Sequence, residues 1–250
     1  MQLKITLGST FQLGDHSLIC GDATDSTIVK KLVCTDEIDL VLTDVPYGVG
    51  YVENKQIFTS SVATQKIIAN DHEQSTAEYQ LFMQKWMSVI TPYLSAKNAL
   101  YIFNSDKMLF ALEDAMRAEK IKFAQLLIWI KNHAVVGRLN YLPQHELIAY
   151  GWYGTHKFVK SKDKSLLFYP KPNKSPLHPT MKPVGLLRQL ILNSTRIGEV
   201  VYDCFGGSGS TLIACEQTKR TCLMVELDPE YCQTIITRWE KVTGQKARQL

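Results

Sequence analysis

The chain alternates short apolar runs with longer amphipathic stretches. The runs "IDLVLT" (38–43), "ALYIFN" (99–104), "FAQLLIWI" (123–130), "ELIAYG" (146–151), "EVVYDCF" (199–205) and "TCLMVEL" (221–227) are short and rich in β-branched or aromatic residues. Such runs read as strands, several of them buried on both faces. "SLICGDA" reads as another strand, ending at Asp22. Between them the period changes to that of helices. Over 75–91, Ser75 and Glu78 form a capping box, and Tyr79, Phe82, Met83, Trp86 and Ile90 share one face. A helix of good formers reaches Lys120 with Ser105 as its cap, and 184–195 and 210–219 are further helices. The last helix opens at Asp228-Pro229, carries the stripe Cys232, Ile235, Ile236 and Trp239, and stops at Gly244. This alternation predicts an α/β fold with a largely parallel sheet.

Residues 155–182 break the pattern. Lys157, Lys160, Lys162, Lys164, Lys171 and Lys174 stand against Asp163 alone, and prolines 170, 172, 176, 179 and 183 are interspersed. This stretch predicts mostly loop. No internal repeat or low-complexity tract is present.

The length of 250 residues predicts one domain, and 45% hydrophobic residues can fill a sizeable core. No run of about 18 apolar residues marks a membrane span, and "MQLKITLGST" lacks the apolar core of a signal peptide. The expected location is cytoplasmic. The six cysteines form no Cys-x-x-Cys pair and lie mostly in apolar runs, which predicts buried, reduced thiols. The six histidines make no zinc pair, so no metal site is expected. A charge of +4 permits a polyanionic partner without requiring one.

Two turns carry candidate chemistry. "VYDCFGGSGSTLIACE" sets Gly206, Gly207 and Gly209 between a strand and a helix, where bare backbone and free N–H groups allow close approach of a ligand. Glu226, about twenty residues on at the end of the next strand, is placed to bond both hydroxyls of a ribose. The pattern is not the dinucleotide fingerprint, because Leu212 replaces its third glycine, and it lacks the Gly-Lys-Ser/Thr of a phosphate loop. Asp203 inside the turn would repel a pyrophosphate and favour a cationic ligand. An adenosine-containing ligand with a positive charge, such as S-adenosylmethionine, fits both acids. The second turn, "TDVPYG", follows a buried strand, so Asp44 emerges at the carboxyl edge of the sheet, where α/β folds bind ligands. Acceptors there can hold an exocyclic amine, and Tyr47 offers a flat face for a base, worth about 1–3 kcal/mol.

With both turns in view, the chain resembles DNA amino-methyltransferases, which methylate adenine N6 or cytosine N4. The order, "TDVPYGVGY" early and "DCFGGSGST" late, is that of the permuted β group. "LIWIKN" (127–132), "HPTMKPVGLL" (178–187) and "ELDPEYCQTIITRWEKVTG" (226–244) are similar to segments of phage- and prophage-type members, so the resemblance spans roughly residues 10–245. It implies a Rossmann-like methyltransferase fold with a mostly parallel seven-stranded sheet and a short DNA-recognition insertion over 132–180. It implies S-adenosyl-L-methionine as cofactor, with Phe205, Gly206, Gly207 and Gly209 in its turn and Asp203 near the methionine moiety. Glu226 then takes the ribose, Asp22 the adenine, and Lys182 and Pro183 the segment closing over the methionine end. Asp44, Val45, Pro46 and Tyr47 match the catalytic Asp-Pro-Pro-Tyr.

Val45 departs from that motif. The carbonyl that the family offers to the amine survives the change, and Val45 still precedes Pro46 and is biased to extended geometry. One ring lock on φ is lost, worth roughly 0.4–1 kcal/mol. The implied reaction holds the two amine hydrogens on Asp44 and the Val45 carbonyl, so that the nitrogen lone pair can attack a sulfonium methyl. The base must be flipped out of double-stranded DNA, and Tyr47 would stack on it, with Trp129 or Tyr51 walling the pocket or, for Trp129, filling the core. Lys157, Lys160, Lys162 and Lys164, with Phe158, Phe168 and Tyr169, are candidates for DNA contact, and Arg138 and His133 in 132–146 are a second set. Residues 48–65 read as a lid. A homodimer could share recognition. Adenine is favoured over cytosine because cytosine members more often begin the turn with serine. Cytosine-N4 transfer, an RNA or protein-glutamine methyltransferase, a nicotinamide oxidoreductase, and a non-catalytic DNA-binding remnant remain alternatives.

Overall fold

The computed structural model describes residues 4–35, 37–48, 72–134, 140–160, 162–171 and 181–250. Eleven strands form its sheet: β1 (Thr10–Leu13), β2 (His16–Cys20), β3 (Ile38–Asp44), β4 (Leu94–Asn104), β5 (Ile121–Ile130), β6 (His145–Tyr153), β7 (Thr155–His156), β8 (Leu166–Phe168), β9 (Val200–Asp203), β10 (Thr221–Glu226) and β11 (Arg248–Gln249). The order is β11-β1-β2-β10-β9-β3-β4-β6-β5-β8, with β7 on β4. From β2 to β4 every pairing is parallel, and β6 runs antiparallel between β4 and β5. These seven central strands, β2 to β5 in that order, are the expected sheet. It is extended beyond expectation by short strands at its margins.

Among the described residues six helices cover the two faces: α1 (Ser26–Val33), α2 (Thr76–Ile90), α3 (Leu109–Ala118), α4 (Val184–Ser194), α5 (Ser210–Thr218) and α6 (Pro229–Thr243). The alternation of side chains along each strand decides which helices it meets. On β3, Leu40 and Leu42 join α4, α5 and α6 in one core, whereas Ile38 and Val41 join α1, α2 and α3 in the other. Both faces are therefore dry, which is why the central strands are apolar throughout. The capping box of α2 is formed, and the stripe of Cys232, Ile235, Ile236 and Trp239 on α6 is buried as its spacing predicts.

Two expectations need correction. Ser105 does not cap α3, which begins at Leu109 after Met108. Asn104 organises that turn instead, accepting from the Ser105 N–H and donating to the Met108 carbonyl. Among its described residues the 155–182 stretch is mostly loop, as expected, broken only by the short β7 and β8. Lys157 is not a DNA-facing lysine. Its Nζ lies 2.8 Å from Asp39 and 2.9 Å from Glu199, with the side chain 16% exposed. Asp39 is at the amino end of β3, about 16 Å along the strand from Asp44 at a rise near 3.3 Å per residue. Lys157 thus closes the edge of the sheet opposite to the candidate site. Truncating it leaves two carboxylates facing each other in a half-dry pocket. Lys157→Ala is expected to lower stability by about 3 kcal/mol in urea denaturation.

Candidate active site

Parallel strands end together, and here three neighbours, β3, β9 and β10, end in acids: Asp44, Asp203 and Glu226. The ladder pairs Leu40 with Val201 and Val41 with Tyr202, so β3 and β9 are neighbours at the middle of the sheet. Asp44 and Asp203 leave it at the same edge. Thr43 ties the two strand ends together, its hydroxyl donating to Asp203 Oδ1 at 2.8 Å. One cleft is lined by Asp22, Asp44, Val45, Pro46, Tyr47, Lys182, Asp203, Phe205, Gly206, Gly207 and Glu226. The structure therefore brings together eleven of the residues singled out in the sequence.

The glycine turn is built by contacts that side chains would obstruct. A Cβ on Gly206 would lie 2.8 Å from Met224, and Gly209, at φ +75°, is the left-handed residue that starts α5. Gly209 and Pro183, which precedes α4, act through backbone shape and do not line the cleft. Glu226 accepts from the Gly207 N–H at 2.7 Å and from the Asp228 N–H at 2.8 Å. A carboxylate has about four acceptor sites, so two remain for a pair of hydroxyls. Burial pushes Glu226 up to about 7, against those two hydrogen bonds. Burial likewise raises Asp203 to about 7, although Thr211, Thr43 and the Phe205 N–H support its charged form. A buried acid near neutrality, facing a cleft and without a cationic partner among the described residues, matches a ligand that brings the cation. Asp22 is exposed at the rim, accepting from the Thr24 N–H. This set fits an adenosine carrying a positive tail.

The other end of the cleft holds a compact charge network. Lys182 Nζ contacts Asp44 Oδ2 at 2.5 Å and Glu146 Oε2 at 3.1 Å. Lys131 Nζ lies 2.7 Å from Glu146 Oε1. The Tyr47 hydroxyl is 3.0 Å from Asp44 Oδ1 and 3.1 Å from Glu146 Oε2. Lys182 also sits 5.6 Å from the Tyr47 ring centre and 5.2 Å from that of Phe103. Burial raises the Asp44 carboxyl, and Lys182 pulls it back. Burial works against the charge of Glu146 too, but Lys182 and Lys131 overcome it and hold the acid at about 2. Burial also disfavours the Lys182 ammonium, yet Asp44 and Glu146 keep it above its ordinary value. Two anions and two cations leave this end neutral.

Glu146 and Lys131 were not anticipated from the sequence. Each is a charge at the end of an apolar strand, Lys131 just past β5 and Glu146 near the start of β6, and β5 and β6 pair side by side. The signal was charge at a carboxyl-edge boundary, which strand ends show routinely. Trp129 proves to be both core and wall: it is 1% exposed, donates to the Tyr169 carbonyl at 2.8 Å, and lines the cleft. Lys160, Lys162 and Lys164 are exposed and do not line the cleft, whereas Lys131 and Lys171 do. Arg138, Tyr51, most of the 48–65 stretch and residues 178–180 lie outside the described residues.

A family profile described as DNA methylase, for N6 and N4 methylation, matches residues 38–237. The chain belongs to this N6/N4 DNA amino-methyltransferase family. Among curated relatives, the type II methyltransferase M.HpaI of Haemophilus parainfluenzae is 24% identical over 247 residues, covering 88% of this chain and 72% of its own length. Among solved structures, the cytosine-N4-specific PvuII DNA methyltransferase superposes with a TM-score of 0.71 at 17% identity, over 96% of this chain and 94% of its own. The M1.HpyAVI–SAM complex gives 0.65 at 21% identity, over 88% and 98%. Both likenesses concern the fold. No helix among the described residues of the methylase is long and apolar enough to cross a membrane.

The pH dependence of the cofactor end follows from Asp203 and Glu226. Their folded values, about 7, exceed ordinary carboxyl values. The folded state then binds more protons than the unfolded chain between about pH 4 and 7, so their contribution to stability falls as pH rises through that window. A cationic ligand reverses the preference and favours the ionised acids. The affinity for S-adenosyl-L-methionine is expected to weaken as pH falls below about 7, by up to about tenfold per pH unit for each acid that titrates. Calorimetry in buffers of different ionisation enthalpy should show proton release on binding. Asp203→Asn should raise the melting temperature of the free protein at pH 8 and lose most of the melting shift that the cofactor produces. Affinity that stays flat from pH 6 to 8 would refute this account.

Proposed function

We propose that the methylase transfers a methyl group from S-adenosyl-L-methionine to adenine N6 of a base flipped out of double-stranded DNA. The observation that carries this reading is the shared cleft: Asp44 and Tyr47 at one end, Asp203 and Glu226 at the other, with Thr43 bonded to Asp203 between them. Bound there, the cofactor supplies an electrophilic sulfonium methyl. Asp203 faces its charge, Glu226 its ribose hydroxyls, and Asp22 at the rim its adenine.

The target amine is a weak nucleophile because its lone pair is delocalised into the ring. Asp44 and the Val45 carbonyl accept its two hydrogens, which favours a tetrahedral nitrogen whose lone pair points at the methyl. The work is positioning and electrostatics. Tyr47 offers its ring to the flipped base, offsetting part of the few kcal/mol that flipping costs. Val45 contributes more than a carbonyl. Its side chain is 3% exposed and packs in the core shared with α1, α2 and α3. Packing thus replaces part of the rigidity that a ring would supply. The preference for adenine rests on Asp44 opening the turn.

The duplex lies across the carboxyl edge of the sheet. There Lys131 and Gln144 form a neck in which they bond each other twice. Past that neck Tyr141 is 92% exposed and Leu142 46%. Lys160, Lys162 and Lys164 are further candidates for phosphate contact, outside the cleft, and binding should weaken steeply with salt.

The direct test is to incubate the protein with labelled S-adenosyl-L-methionine and unmethylated DNA, digest to nucleosides and separate them. Label in N6-methyladenosine is expected. Label in N4-methylcytosine would keep the mechanism and change the base, and no label with intact cofactor binding would refute catalysis. Asp44→Ala should lower turnover by at least about a thousandfold, roughly 4 kcal/mol of barrier. Val45→Pro should change turnover by less than about a hundredfold, or 2.7 kcal/mol. A larger gain would mean that the native turn is impaired.

A further inference from the structure

The acceptor that the proposed reaction needs is already engaged. Asp44 Oδ2 is held by Lys182, and the Tyr47 hydroxyl points at Asp44 Oδ1. An amine arriving at Oδ1 has to compete with that hydroxyl. The hydroxyl, however, has one hydrogen and two acceptors at nearly equal distance, 3.0 Å to Asp44 and 3.1 Å to Glu146. Rotation about the C–O bond moves the hydrogen from one carboxylate to the other without displacing the ring.

We propose that Glu146 is a positioning residue of the methylase: it takes over the Tyr47 hydroxyl and shares Lys182, freeing Asp44 Oδ1 to accept the amine of the target base. The inference rests on the reaction proposed above. Three features of Glu146 suit it to this role. Its Oε2 is the atom that both Tyr47 and Lys182 reach. Its Oε1 is fixed by Lys131, itself only 5% exposed, so the carboxylate cannot swing away. It lies on β6, next to β4 in the sheet and across from the turn that carries Asp44, so it can hold the tyrosine from outside the catalytic turn. Among the described residues, the charged and titratable groups facing Asp44 are Tyr47 on its own turn, Lys182 before α4, Glu146 on β6 and, more distantly, Asp203 on β9. Lys131 acts only through Glu146. Without the Glu146 charge, Lys182 has one anion to serve and Tyr47 one carboxylate to address. Both then settle on Asp44.

The test compares wild type with Glu146→Gln in steady-state methylation across pH 5 to 9, together with cofactor affinity. The variant is expected to lose at least tenfold in kcat, with the Kd for S-adenosyl-L-methionine within threefold of wild type. The acidic limb of its kcat profile should move to lower pH, because a negative neighbour of Asp44 has gone. Glu146→Asp should recover part of the loss. The decisive readout is the cycle with Tyr47→Phe. If Glu146 acts by taking the tyrosine hydroxyl, Glu146→Gln costs markedly less once that hydroxyl is absent. Should burial of an unpaired Lys131 unfold the single variant, Glu146→Gln combined with Lys131→Met removes both charges and is expected to show the same kcat loss and shifted limb. A kcat within twofold of wild type, an unmoved limb, or equal losses with and without the Tyr47 hydroxyl would each overturn the proposal. A wild-type protein that binds the cofactor but labels no base would instead refute the underlying reaction, and this proposal with it.

Discussion

The hydrogen bond from Thr43 to Asp203 is where the two halves of the site meet. It exists because β3 and β9, distant in the chain, are parallel neighbours at the centre of the sheet. The ladder fixes the distance between the end of the cleft that carries Asp44 and the end that carries Asp203. It also creates a difficulty, since two acids emerge side by side from a dry core. The structure answers differently on each side. Asp44 is neutralised by an ammonium brought from the segment before α4. Asp203 has hydroxyl and N–H donors but no cation among the described residues, and its affinity for protons rises. One acid is balanced by the protein and the other is left for a ligand to balance.

This division explains why the order of the motifs along the chain is immaterial to the chemistry. The catalytic turn precedes the cofactor turn by some 160 residues. What matters is adjacency in the sheet, and right-handed crossovers can achieve it from either order. The same logic accounts for the helices. α1, α2 and α3, the earlier helices of the described chain, pack on one face, and α4, α5 and α6, the later ones, on the other.

The legible parts of the sequence were those whose determinants are local. Strands buried on both faces announce themselves as apolar runs, and α2 and α6 as stripes with caps. The glycine turn and Asp44 were legible because their residue types are unusual for their positions. What escaped notice depends on distant partners. β7, β8 and β11 are two or three residues long and exist only because an existing edge accepts them. Ser105 has the composition of a cap, yet Asn104 captures the turn first. Lys157 looked like one of several surface lysines until Asp39 and Glu199 closed around it. Nothing near Glu146 in sequence distinguishes it from an ordinary strand end.

Val45 shows how a motif can change without losing its geometry. A proline at that position restricts φ by its ring. A valine before Pro46 is restricted by the clash that the following ring imposes, and here also by a buried side chain packed in the core. The carbonyl direction is thus constrained from both sides of the peptide. The isopropyl group adds apolar contact to the core at the point where the chain leaves the sheet, which ties the catalytic turn to the helices behind it. A turn held by packing responds to changes in that core, whereas one held by a ring does not. The activity of this methylase should therefore be more sensitive to substitutions in the core that Val45 joins, such as Tyr79 or Met83 on α2, than the motif alone would imply.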